Sequence, residues 1–350
     1  MDMRNIKRSI FIPIALLLGA QLLSLGRRAS VEGTSVAATV QPSVTQSSPS
    51  LLVLDKSESQ LAIIDPVSLK VVGKVPTGNA PHEVIASADG RYAFVSNYGT
   101  AQSPGKTLSM IDIAARKGFR TIDLGPLVRP HGITESAGKI YFTIEGNRAV
   151  ARYDPVANQI DWLMGTGQSG THMVVVAPAR DKLYTANTQS GSVTMIRLAP
   201  SGNLPSIEQI ATGPGSEGID ISPDGKQIWV AHRLDGKLSV IETDSDKVVA
   251  TFDAGKGPIR VKFTPDGRWV LVTDSGTGDL IVFDASTQKE TRRIHIGGGP
   301  GGVLVEPDGK RAFVAEGVAN KVAVIDMNSM AVTGEIDPGR EPDGMAWAGR

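Results

Sequence analysis

The sequence predicts an all-β fold, a seven-bladed β-propeller of four-stranded antiparallel blades. Three observations predict it. From Leu51 onward a unit of about 42 residues recurs, a period that marks propellers and solenoids. The residues that open successive units are Pro81, Pro130, Thr171, Ser216, Pro258, Pro300 and Pro342, spaced 41 to 49 residues apart. Residues 51–78 hold every strand of a unit except the opening one, and a lone opening strand follows Pro342. The C-terminal strand is therefore expected to complete the N-terminal blade, closing the ring without a free sheet edge.

Each unit divides into strands a to d. In the sixth, residues 260–263 form a short β-rich segment that ends in Thr-Pro-Asp-Gly, a hairpin turn. Residues 269–273 are a nearly continuous apolar run, as expected of a strand buried on both faces between blades. Residues 280–283 and 290–296 supply the third and fourth strands. The third strand ends in an apolar-acidic pair in most copies: Ile64-Asp65, Ile111-Asp112, Tyr153-Asp154, Ile241-Glu242, Phe283-Asp284 and Ile325-Asp326. An acid there accepts backbone N–H bonds in the following turn, a structural duty. The longer interval after Pro81 is absorbed by a Gly/Ser/Pro-rich loop expected over residues 98–106.

The chain of 350 residues is 41% hydrophobic, only 5% aromatic and carries 39 glycines. Its formal charge is zero and no basic patch suggests nucleic-acid binding. It has no cysteine, which excludes disulfides, thiolate-ligated metals and covalent Cys-x-x-Cys-His haem. Arg4, Lys7 and Arg8 precede an apolar stretch over residues 10–25, the pattern of a signal peptide. Ser35-Val36-Ala37 offers a cleavage site, giving a leader of residues 1–37, a Ser/Thr/Pro-rich linker over 38–50 and a propeller over 51–350. Export to the periplasm or beyond is the expectation, with an uncleaved inner-membrane anchor as the alternative.

In a propeller the a strands line the channel, so the start of strand a and the end of strand b share one end of the ring. The pairs expected to meet there are His82 with Asn97, His131 with Glu145, His172 with Asn187, Glu217 with His232, Ile259 with Asp274, Gly301 with Glu316, and Asp343 with Asp55. Four of the five histidines fall in these fourteen slots; His295 belongs to an outer strand. His82, His131, His172 and Glu217 are of a type that ligates one divalent metal ion. Asp274 and Glu316 are candidate general bases. Asn97, Glu145, Asn187, His232, Asp343 and Asp55 would complete a pocket for a small polar ligand. The pattern is compatible with metal ligation, a metal-free pocket or solvated structural histidines.

Tyr92-Ala93-Phe94-Val95-Ser96-Asn97, Trp229-Val230-Ala231-His232 and Val270-Leu271-Val272-Thr273-Asp274 resemble the Tyr-Val-Thr-Asn repeat of YVTN-type bacterial propellers, and so do the turns at 222–225 and 264–267. The resemblance covers about 300 residues. It implies a seven-bladed propeller similar to lactonase-type and surface-layer proteins. That group includes 6-phosphogluconolactonase-like hydrolases and the propellers of cytochrome cd1 nitrite reductase and nitrous oxide reductase. The copper enzyme fits poorly, since its electron-entry centre needs cysteines and its cluster seven histidines. No lactonase motif transfers residue by residue. Two functions follow as expectations: a lactonase-like hydrolase or lyase, or a non-catalytic module that presents a face to a periplasmic partner.

Overall fold

A computed structural model describes residues 48–179, 181–198 and 206–349. The expected leader, and the linker as far as residue 47, lie outside the described residues. Ser50, assigned above to the linker, is already the first residue of a strand. No helix among the described residues is long and apolar enough to cross a membrane.

Among the described residues twenty-eight strands form seven separate four-stranded sheets. The a strands are Pro81–Ala86, Pro130–Ser136, Thr171–Val176, Ser216–Ile221, Pro258–Phe263, Pro300–Val305 and Pro342–Ala348. All seven begin at the residue identified from the repeat. Blade 1 joins the C-terminal Pro342–Ala348 to Ser50–Asp55, with Leu51 opposite Trp347 and Leu52 opposite Ala346. Blades 2 to 7 follow in chain order, each with its own four strands.

The strand chemistry follows burial. The b strand Trp269–Asp274 is buried along nearly its whole length, sandwiched between neighbouring blades, and so reads as an apolar run. The outer strand Lys247–Asp253 alternates exposed and half-buried residues, the period-2 pattern of a sheet edge. Between blades 5 and 6, Trp229 packs with Phe252, Phe263 and Phe283 at centroid distances of 5.4 to 6.0 Å. The acids that end the c strands cap the next turn as expected: Asp284 accepts from the N–H groups of Ser286 and Thr287, and Asp326 from those of Asn328 and Ser329. The predicted loop over 98–106 is mostly strand, since Tyr92–Gly99 and Pro104–Asp112 extend the hairpin and leave only a short turn.

One device positions the site. In every blade the a–b ladder is irregular just after the opening residue, as between Pro81 and Glu83 or Pro258 and Arg260. The residue after the opener is thereby left out of the pairing and points into the mouth of the channel. The next position alternates around the ring: Glu83, Gly132, Met173, Gly218, Arg260, Gly302 and Gly344. The glycines allow neighbouring inner strands to touch, since a Cβ at Gly132 would lie 2.6 Å from the His172 carbonyl oxygen. The long side chains between them occupy the axis.

Candidate functional site

The unpaired position delivers His82, His131, His172, Glu217, Ile259, Gly301 and Asp343 to one mouth, around a cavity of about 620 Å³. On one side the imidazoles form a continuous series. His82 Nδ1 lies 3.1 Å from His131 Nε2, and the His131 and His172 rings stack at 3.8 Å. Tyr98 packs against His82 at 4.6 Å and edge-on to His131 at 5.2 Å. Burial drives the His131 pKa well below its usual value and takes His82 down to about 4, so both rings are neutral near pH 7.

His172 is set apart by its partner. Its Nδ1 is hydrogen-bonded to the Glu145 carboxylate, which also accepts the Tyr98 hydroxyl. Burial favours the neutral acid at Glu145, but the His172 and Tyr98 bonds outweigh it and lower the pKa. Glu145 comes within reach of His172 where strand Lys139–Ile144 ends one residue early and a 3-10 turn, Glu145–Asn147, follows; it supports the imidazole without itself lining the cavity. His172 Nε2 is buried, has no hydrogen-bond partner and stands 3.9 Å from Glu217 Oε1.

Arg260 and Glu83 are the residues that the sequence reading missed. They form a 2.6 Å pair across the channel, from blade 6 to blade 2, beneath the imidazoles. Both are largely buried. Arg260 Nη1 has no hydrogen-bond partner and lies 3.6 Å from the same Glu217 oxygen that faces His172. Burial weakens the Arg260 charge, but Glu83, Asp343 and Glu217 more than restore it and its pKa is raised. Burial raises the Glu83 pKa despite Arg260. The rim adds Lys56, 2.7 Å from Glu341, and Arg233, 3.3 Å from Glu217. The missed signal was a column of the repeat in which two ionisable residues of opposite sign stand among four glycines.

The b-strand ends go elsewhere, which corrects the expected pairing of slots. Asn97, Asn187, His232, Asp274 and Asp55 are essentially fully buried and Glu316 nearly so. They pair with the opening residues, not with the unpaired ones, and lie under the Gly-rich segments that lead into the a strands. Asp274, expected as a base, instead accepts from the N–H groups of Lys256, Gly257 and Gly276 and from the Thr277 hydroxyl. Asn97 accepts from Gly78 N–H, and the Asn187 amide donates to Ser192 and Thr194. None of these six lines the cavity. His295 is an exposed outer-strand residue bonded to Asp279.

Among the described residues no group of three His, Asp or Glu side chains has the geometry to hold a metal ion. The reason lies in the imidazoles: two stacked rings and a nitrogen-to-nitrogen contact do not aim their lone pairs at one centre. What the arrangement can do as it stands is acid–base chemistry beside a buried guanidinium.

A family model described as lactonase, 7-bladed beta-propeller, matches residues 151–339. No curated protein matches the sequence. Similar solved structures include the following three. A protein of Desulfotomaculum acetoxidans of unknown function has a TM-score of 0.72 at 12% identity, over 86% of this chain and 99% of its own. Hydrazine synthase of Kuenenia stuttgartiensis has a TM-score of 0.71 at 21% identity, over 85% and 99%. A protein of Bacteroides uniformis provisionally designated a 6-phosphogluconolactonase has a TM-score of 0.70 at 14% identity, over 86% and 99%. At such identities these likenesses concern the fold.

Proposed function

The chain belongs to the lactonase, 7-bladed beta-propeller family, and from that premise we propose that its mouth binds a small ligand with a polar cyclic ester group and hydrolyses it. The observation that carries the reading is the environment of His172, with Nδ1 held by Glu145 and Nε2 buried and unpartnered. An ionised Glu145 keeps the imidazole proton on Nδ1 and leaves the Nε2 lone pair free. Nε2 is then placed to take a proton from a water as it attacks the carbonyl carbon. The developing oxyanion needs a donor, and the buried Arg260 Nη1 offers an unused one. The proton held on Nε2 then passes to the leaving alkoxide as the ring opens. Neutral His82 and His131 offer hydrogen bonds to the ligand without adding charge.

The test is hydrolysis of a panel of lactones, followed by proton release. His172→Gln should lower kcat by ~10²–10⁴, the usual worth of a general base. Glu145→Gln should lower it too, by freeing the tautomer. Full activity in His172→Gln, or no turnover of any lactone by the wild type, overturns the reading. His82, His131, His172 and Glu217 could share a divalent ion only if the His131–His172 stack opened. Stoichiometric metal in the purified protein, lost in His131→Ala, would replace the acid–base reading with a metal-assisted one.

Large exposed apolar side chains, such as Val67, Phe119, Val156, Leu234 and Val318, are scattered over five blades. This dispersion favours a ligand-binding mouth over a protein-docking face. The basic-then-apolar N-terminus supports export of the propeller, and N-terminal sequencing of the mature chain checks it.

A further inference from the structure

The mouth has two chemically different walls. Blades 1 to 5 furnish imidazoles, carboxylates and cations; blades 6 and 7 furnish Ile259, Gly299, Pro300, Gly301, Gly317 and, at the rim, Val318, with Arg260 and Ser275 of blade 6 as their polar side chains. Several backbone groups of this second wall are already paired. Gly301 O accepts from the Thr273 hydroxyl, Gly317 N–H donates to Gly299 O, and Val318 N–H donates to Gly298 O. A hydroxyl-rich ligand would find few free partners there, whereas an alkyl group would lose nothing.

Gly301 is the key position. It occupies the slot that holds His82, His131, His172, Glu217, Ile259 and Asp343 in the other blades, so a side chain there would enter the cavity. Neither backbone nor crowding forces the glycine. Its φ lies outside the left-handed region, and the first atom that a Cβ would meet is Ala315 O at 3.9 Å. The adjacent Gly302 differs, since a Cβ there would come within 2.3 Å of Asp343 O. Gly302 is required by packing, while Gly301 leaves open a space that the fold could have filled.

We propose that this space receives an apolar substituent of the substrate, so that the lactone acted on carries an alkyl chain and is not a polyhydroxylated sugar lactone. The inference rests on the hydrolase reading for the lactone itself: the carbonyl lies toward His172 and Arg260, the chain against Ile259 and over Gly301. The difference between walls selects for it, because each methylene in an apolar pocket is worth about tenfold or more in discrimination.

The experiment compares kcat/KM of the full chain for δ-decalactone, unsubstituted δ-valerolactone and glucono-δ-lactone, with Gly301→Ala and Gly301→Val as variants. The wild type should prefer δ-decalactone over both others by at least ~10-fold. Its ratio over δ-valerolactone should fall stepwise from Gly to Ala to Val, with the melting temperature unchanged. Preference for glucono-δ-lactone, or a ratio that both variants retain, overturns the proposal. If the wild type hydrolyses none of the three, the hydrolase reading fails and calorimetric binding of δ-decalactone decides this one. Binding that Gly301→Val weakens supports it; no binding, or equal binding, overturns it.

Discussion

Asp55 ends the b strand of the closing blade, opposite Pro342 of the C-terminal strand. Its carboxylate is fully buried, neither oxygen has a hydrogen-bond partner, and the nearest cation is Lys74 Nζ at 3.4 Å. Burial, only partly offset by Lys74, pushes its pKa from 3.8 up to about 7. The folded state therefore holds a proton that the unfolded chain gives up at lower pH. The contribution to stability is fully present below 3.8 and is lost as pH rises toward 7. Each pH unit inside that window costs up to ~1.4 kcal/mol, and the interval from about pH 5 to about pH 8 roughly 2.5 kcal/mol after allowance for the window's edges. Asn is nearly isosteric, cannot ionise, and stands at the equivalent position of blades 2 and 4 as Asn97 and Asn187. Urea unfolding of the wild type and Asp55→Asn, followed by tryptophan fluorescence at both pH values, isolates the effect. His82 and His131, with lowered pKa values, titrate in both proteins with the opposite sign, losing stability as pH falls, and cancel in the difference. The advantage of Asp55→Asn over wild type should grow by roughly 2.5 kcal/mol from the lower to the higher pH. Parallel curves would refute an unpartnered buried carboxylate at the seam.

Glu83→Ala should destabilise the ring by about 3 kcal/mol, because it leaves the buried Arg260 guanidinium short of its 2.6 Å partner. The double replacement Glu83→Met with Arg260→Met should recover most of that loss in chemical denaturation; an equally unstable double variant would show that packing, not charge, dominates there. Deleting residues 342–350 strips the paired edge from Ser50–Asp55 and should abolish cooperative unfolding, with the synthetic strand restoring it in trans. A truncated protein with an unchanged melting curve would contradict closure by that strand.

Much of the scaffold was legible because it is repeated. Seven copies of an opening residue, an apolar b strand and an acid-ended c strand each report the same local geometry, and all seven openers stand at the head of an a strand. The site was legible in part. His82, His131, His172 and Glu217 reach one mouth with Asp343, as their shared slot implied. Asn97, Asn187, His232, Asp274, Glu316 and Asp55 do not, because the ladder irregularity after each opener turns one column inward and leaves the other under a loop. Glu145, outside the cavity lining, meets His172 from the short turn that ends its strand early. The loop read over 98–106 became strand because pairing of Gly99 with Pro104 carries the hairpin on, and that extension brings Tyr98 to the imidazoles.

The sequence by itself determined the number of blades, the closing strand and which imidazoles share an end, since these depend on period and register alone. Only the tertiary structure decided that His172 differs from His131, that Arg260 meets Glu83 across the axis, and that Asp274 is consumed by backbone N–H groups. Those outcomes depend on distances between blades far apart in the chain, where a residue's chemistry is set by what faces it and how little water reaches it.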